Sequence, residues 1–174
     1  LPRDMRIICS REVSGDFHAR FSATGKKYKY SMIVRPQGTA IGYRYLYHIC
    51  VPLDVSAMKE AAGYFKGTHD FASFMAAGSP VRTTVRTVTD VRLDWEDPFL
   101  YFMVKGDGFL YHMVRIMVGT LIEVGRGRID SFSVPEVLQA RDRKRAGPTA
   151  PPQGLSLEEV YYEKYFLDTP QHMH

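Results

Sequence analysis

Arg20, Lys26, Lys27 and Lys29 lie close together with no acid between them, and Tyr28 and Tyr30 are set among the lysines. Strand alternation would put the two rings on one face. Cations beside an aromatic ring are what a protein needs to hold a phosphate backbone and offer a base a surface to stack on. Tyr28 by itself would be ordinary packing, because strand tyrosines usually pack and this chain has 11 tyrosines. A phenol near its reference pKa of about 10 is also a weak base at neutral pH. Arg115 is the second residue that could carry chemistry, bracketed by Met113, Val114, Ile116 and Met117. A buried guanidinium costs on the order of several kcal/mol unless an anion compensates it. Arg115 therefore pairs with an internal carboxylate, snorkels to the surface, or serves an anion that takes part in function. The residues alone leave these readings open.

The elements that must position these side chains follow from periodicity. Strands are expected over residues 5–12, 26–34 and 43–49. Asp54 can cap a helix that carries Val55, Met58, Ala61, Ala62 and Phe65 and stops near Gly67. Residues 69–74 read as a short turn or helical piece, followed by a small-residue loop from Ala76 to Pro80. Residues 83–95 and 99–105 predict a β-hairpin with Glu96-Asp97-Pro98 as its turn. Leu110, Met113, Val114, Met117, Val118, Leu121 and Ile122 form the clearest helical stripe, closed by Gly125-Arg126-Gly127. Ser133 can cap a short helix with Pro135 in its first turn, ending near Arg141-Asp142-Arg143. Residues 146–154, with three prolines and two glycines, read as a mobile loop, and 155–162 as a closing strand. Interspersed helices and hairpin-linked strands predict an α+β fold, a mostly antiparallel sheet with helices packed on one face. Residues 1–165 are expected to form one domain and 166–174 a tail.

At 174 residues the chain is long enough to bury a core, and 45% apolar with 24% charged residues argues against disorder. The net charge of +4 matters only where cations cluster. A second cluster, Arg141, Arg143, Lys144 and Arg145, encloses only Asp142 and reads most simply as a solvated face. Cys9 and Cys50 have no Cys-x-x-Cys spacing, which excludes a disulfide framework and suits a reducing cytosol. No His, Cys or acid spacing suggests a metal, and no apolar run is long enough to span a membrane. Leu1-Pro2 in place of an initiator Met suggests part of a longer polypeptide.

Several separated motifs, in one order, resemble the tRNA pseudouridine synthase A family. They are Phe17-His18-Ala19-Arg20-Phe21-Ser22-Ala23, the basic pair Lys26-Lys27, Tyr28-Lys29-Tyr30, Thr68-His69-Asp70-Phe71, Arg82-Thr83, Phe109 to Arg115 with Val118-Gly119, and Gly154-Leu155. The resemblance runs to about Tyr161 and implies the pseudouridine synthase fold. It also implies a role for each matched residue: Tyr28 packs on the target uracil, and Arg115 pairs with the catalytic aspartate. Phe17, His18, Ala19, Arg20 and Phe21, Lys26 and Lys27, the segment Gly78-Ser79-Pro80-Val81-Arg82, and His112 contact RNA. The reaction implied is isomerisation of uridine to pseudouridine in the anticodon stem-loop of tRNA, with no cofactor or metal, by a cytoplasmic homodimer. The target base must leave the stack to be reached.

The family's aspartate lies in a Gly-Arg-Thr-Asp-Ala-Gly-Val-His motif upstream of its Leu-Pro, and no Arg-Thr-Asp occurs in this chain. The expectation is a C-terminal portion that grips tRNA, supplies Tyr28 and Arg115, and is inactive alone. Tyr111, where a His is frequent, and Pro80 depart from the pattern. The alternative is a non-catalytic RNA-binding or dimerisation module.

Overall fold

A computed structural model of the chain describes residues 1–10, 12–78 and 81–163. In chain order its elements are β1 (Ala23–Val34), β2 (Tyr47–Ile49), α1 (Val55–Gly63), β3 (Gly67–Asp70), β4 (Val85–Glu96), β5 (Phe99–Gly106), α2 (Met113–Gly125), α3 (Val134–Ala140) and β6 (Leu155–Tyr162). Short 3-10 turns occupy Ala72–Phe74, Ser131–Ser133, Arg143–Arg145 and Pro152–Gly154.

β1 is the hub of the sheet because it alone among the described strands pairs with three others. One edge pairs with β5 in antiparallel register, Tyr28 opposite Val104, Tyr30 opposite Phe102 and Met32 opposite Leu100. The other edge pairs antiparallel with β6 along its first part and parallel with β2 at its end. β4 and β3 continue the sheet beyond β5. Alternation then gives the sheet two chemistries. Tyr28, Tyr30, Met32, Leu100, Phe102, Val104 and Leu93 line the face that packs on α1 and α2, whereas Lys27, Lys29, Ser31 and Lys105 lie on the other.

α2 is the core of the helical layer. Of its 13 residues only Arg115 and Glu123 escape full burial. Each large apolar side chain so buried contributes about 1.5–3 kcal/mol. Glu123 is bound by Arg126 at 2.9 Å and Arg128 at 3.1 Å, which leaves Arg115 as the unusual residue of the helix. α1 starts where Asp54 Oδ1 accepts the Ala57 N–H at 2.9 Å and buries Met58, Ala61 and Ala62. Among the described residues no helix is long and apolar enough to cross a membrane.

The α+β architecture, the hairpin turning at Asp97-Pro98, and the strands at β1 and β6 agree with expectation. The expected strand over 5–12 is absent among the described residues there. Ile7 and Ile8 are exposed, and their backbone has no neighbouring strand to pair with. The strand expected over 43–49 shrinks to β2, because the Tyr45 N–H turns back to the Gly42 carbonyl and leaves Tyr43 and Tyr45 exposed. Residues 67–70 form strand β3 against β4, since Thr68 and His69 find paired partners in Thr87 and Arg86. The α2 stripe begins one turn early in the sequence. Leu110 is buried, but the helix starts at Met113, because His112 takes a left-handed backbone at φ 59°. Ser133 holds the N-cap position of α3 as expected, but its hydroxyl donates back to the Asp130 carbonyl instead of capping the helix, and Asp130 caps the preceding 3-10 turn by accepting the Phe132 N–H.

The largest departure is the segment 146–154, expected to be mobile. It is a strap that lies directly on α2. Its Gly147 N–H donates to Thr120 Oγ1 at 2.9 Å, and its Ala150 N–H donates to the Arg115 carbonyl at 3.0 Å. Glycines face each other where strap and helix cross. A Cβ on Gly119 would overlap the Pro148 carbonyl oxygen, and one on Gly147 would lie 2.6 Å from Thr120 Cα. Proline and glycine here serve close packing rather than looseness. The expected tail at 166–174 lies outside the described residues.

Candidate active site and RNA-binding surface

Arg115 is partly buried in the first turn of α2, and the strap passes over it. Its Nε donates to the Ala150 carbonyl at 2.6 Å. Its terminal nitrogens have no hydrogen-bond or carboxylate partner among the described residues. A charge-assisted bond to a carbonyl fixes the guanidinium plane but does not neutralise it. Of the three readings open from sequence, an internal ion pair is absent among the described residues. What is left is a partly exposed cation held at one nitrogen, whose planar fork either reaches solvent or meets an anion, the shape suited to bidentate carboxylate pairing.

Tyr28 reaches the same layer from β1. Its ring meets Phe109 edge-on, centroids 5.2 Å apart at 85°, and Phe109 lies in the segment leading into α2. Burial pushes the Tyr28 phenol above its ordinary value. It is therefore a neutral ring at neutral pH and still less a base than its reference value implies. Two residues on, Tyr30 is wholly buried and donates its hydroxyl to the Pro151 carbonyl at 2.6 Å. Burial raises the Tyr30 phenol further, only partly opposed by the Arg115 charge.

His112 is the left-handed residue that precedes α2, close enough to Arg115 to feel its charge. Its ring stacks on Tyr111, centroids 3.8 Å apart, and Tyr111 is half exposed. Loss of hydration, with the nearby Arg115 charge, lowers the His112 pKa. The Tyr111 carbonyl accepts the Ala76 N–H at 3.1 Å, which brings the loop carrying Gly78, Val81 and Arg82 to this end of α2. Arg82 and Gly78 are exposed. Ser79 and Pro80 lie outside the described residues.

Phe17 to Phe21 form a projecting turn that holds its own shape. His18 Nδ1 accepts the Arg20 and Phe21 N–H groups at 3.1 and 3.3 Å, and Ser22 Oγ accepts the His18 N–H at 3.0 Å. Tyr162 of β6 anchors it, with its hydroxyl on the Ala19 carbonyl and its ring 5.1 Å from Phe17. The Arg20 guanidinium lies 5.5 Å from the exposed Phe21 ring. The two lysines that follow are not brought together. Lys26 shares the face of Tyr28, while Lys27 is on the opposite face and paired with Glu159 at 2.8 Å.

Among the described residues no three His, Cys, Asp or Glu side chains gather as a metal site. Two features escaped the sequence reading: Phe109 as the support of Tyr28, and the strap as the support of Arg115 and Tyr30. Paired glycines at 119 and 147 were the available signal, but their meeting is a tertiary fact.

Comparison with known proteins decides the family. The sequence pattern described as tRNA pseudouridine synthase matches residues 61–163. The chain belongs to this family. It is 51% identical over 162 residues to the tRNA pseudouridine synthase A of Acetivibrio thermocellus and of Moorella thermoacetica. It is 48% identical to tRNA pseudouridine synthase A 2 of Clostridium perfringens. Each comparison covers 93% of this chain and 66% of the relative, so the chain spans just under two thirds of the length of these curated family members. Both Tyr28 and Arg115 fall within the described fold, Arg115 inside the matched pattern and Tyr28 upstream of it.

Proposed function

We propose that the complete protein isomerises uridine to pseudouridine in the anticodon stem-loop of tRNA, and that these residues supply the RNA grip, Tyr28 and Arg115. The observation that carries this reading is the open fork of Arg115. A guanidinium in a largely buried helix, fixed at Nε and with no carboxylate partner among the described residues, is suited to receive one. The family's aspartate is that partner, held ionised by the pairing. In the reaction the N1–C1′ bond of the target uridine breaks and the uracil turns. C5 then bonds to C1′ and gives up its proton, N1 ends protonated, and atoms balance without a cofactor. Tyr28, neutral and braced by Phe109, packs on the uracil while it turns. The turn at Phe17 to Phe21 and the loop from Gly78 to Arg82 hold the backbone on either side, with His112 between them and Arg115. The assembly is a cytoplasmic homodimer, and these 174 residues are inactive alone.

The test is to map pseudouridine in tRNA from cells that lack the complete reading frame and from cells in which it is restored. Loss confined to the anticodon stem-loop, recovered on restoration, is the expected result. An unchanged map would leave a non-catalytic RNA-binding module as the better reading.

A further inference from the structure

The cations at 141–145 divide into two kinds. Arg141 binds Asp70 at 3.0 Å, tying the turn to the end of β3. Arg143 is partly buried and donates to the Ala146 carbonyl at 3.3 Å and to Thr149 Oγ1 at 3.2 Å, tying the turn to the strap. Lys144 and Arg145 are exposed and have no side-chain partner among the described residues. Their backbone is nonetheless ordered. Asp142 Oδ1 accepts the Lys144 N–H at 2.9 Å, and the Asp142 carbonyl accepts the Arg145 N–H at 3.1 Å.

The position of the turn narrows the partner. It packs against Ala72–Phe74, the 3-10 turn that leads into the loop bearing Gly78 and Arg82. On its other side it runs directly into the strap that fixes Arg115. Lys144 and Arg145 therefore lie on a turn that packs against the segment leading into a proposed RNA-contacting loop and that immediately precedes the strap supporting the proposed active-site cation. Two exposed cations on a capped turn, with no side-chain partner among the described residues, suit phosphate oxygens, which are bound for position rather than sequence.

We infer that Lys144 and Arg145 are a phosphodiester-binding site for the substrate tRNA, extending the grip beyond the loop at Gly78 to Arg82. The inference rests on the reading that the chain binds tRNA, and the two can fail separately. Each phosphate contact contributes about one unit to the slope of log affinity against log salt.

The experiment measures tRNA binding by this chain from 50 to 200 mM salt (a range over which such slopes are resolved). It compares wild type, Lys144→Ala/Arg145→Ala, and Lys59→Ala/Lys66→Ala, which removes the same charge from exposed positions in the middle of α1 and just beyond its end. The expected result is a slope shallower by about two units and roughly tenfold weaker binding at low salt for the 144/145 pair alone. Neither side chain has a partner among the described residues, so thermal unfolding should match wild type. An unchanged slope, or an equal change in the 59/66 pair, overturns the inference while leaving the reading intact. Absence of wild-type binding would overturn both.

Discussion

Arg115 and Tyr30 grip adjacent carbonyls of one strap: Arg115 Nε bonds to Ala150 O and Tyr30 Oη to Pro151 O, each at 2.6 Å. One residue comes from α2 and the other from β1, so the strap joins the helix and the strand that carry the candidate site. The Ala150 N–H returns to the Arg115 carbonyl, which closes the arrangement on the helix side. The guanidinium plane is thus set by the fold before any anion arrives. Such prior orientation is what makes a single charge effective in a site.

Gly119→Ala tests the contact between strap and helix. Its methyl group would occupy the place of the Pro148 carbonyl oxygen, which is backbone and cannot turn aside. Overpacking of this kind costs about 3 kcal/mol, at the upper end of the usual range. Urea unfolding should show the loss, and a variant as stable as wild type would mean that the strap is loosely held.

Tyr30→Phe removes the hydroxyl and leaves the Pro151 carbonyl without that bond. The expected cost at pH 8 is about 1–2 kcal/mol. Burial raises the folded-state pKa of Tyr30 above its ordinary value of 10.0. That contribution is complete below pH 10 and is lost as pH rises through the folded value. The gap between wild type and variant should therefore narrow in alkaline solution. A gap that widens above pH 10 would contradict the assignment.

His112 should titrate below its ordinary value of 6.5, first because it is desolvated and second because Arg115 is near. A lowered folded pKa means that the unfolded chain binds the proton more readily, so His112 costs stability as pH falls below 6.5. The His112 ring resonances in wild type and Arg115→Ala give the check. The variant should titrate higher, and an identical midpoint in both would remove Arg115 from its surroundings.

Tyr28→Phe keeps the ring and its edge contact with Phe109, whereas Tyr28→Ala removes both. In the product of the complete reading frame the Phe variant should retain turnover if the ring acts by stacking. The Ala variant should lose about 10- to 100-fold, the worth of one base–aromatic stack. Equal losses in both would assign the function to the hydroxyl instead.

Much of this was legible in the chain. Alternation in β1 foretold which rings share a face, and apolar spacing foretold α2 and the anomaly of Arg115. Motif order pointed to the family before any fold was known. Other features depended on pairing partners that sequence does not display. Residues 5–12 have strand chemistry without a strand, because extended backbone needs a neighbour. Residues 146–154 have loop composition yet are packed, because Gly147 meets Gly119 and Thr120 of α2 and Gly154 meets Tyr30 and Ser31 of β1. Lys26 and Lys27 look like one basic pair but belong to opposite faces, a direct result of the two-residue period that also aligns Tyr28 with Tyr30.

The most direct test of the central claim is tritium release from tRNA labelled at uridine C5. It would compare the product of the complete reading frame, its Arg115→Ala variant, and this chain of 174 residues. Release by the complete form is predicted, with a loss of about 100- to 1000-fold in the variant, as for removal of an oriented charge-stabilising group, and none from the chain alone. Release by the chain alone would place the reacting aspartate within these residues, and full release by the variant would take Arg115 out of the chemistry; either result contradicts the account.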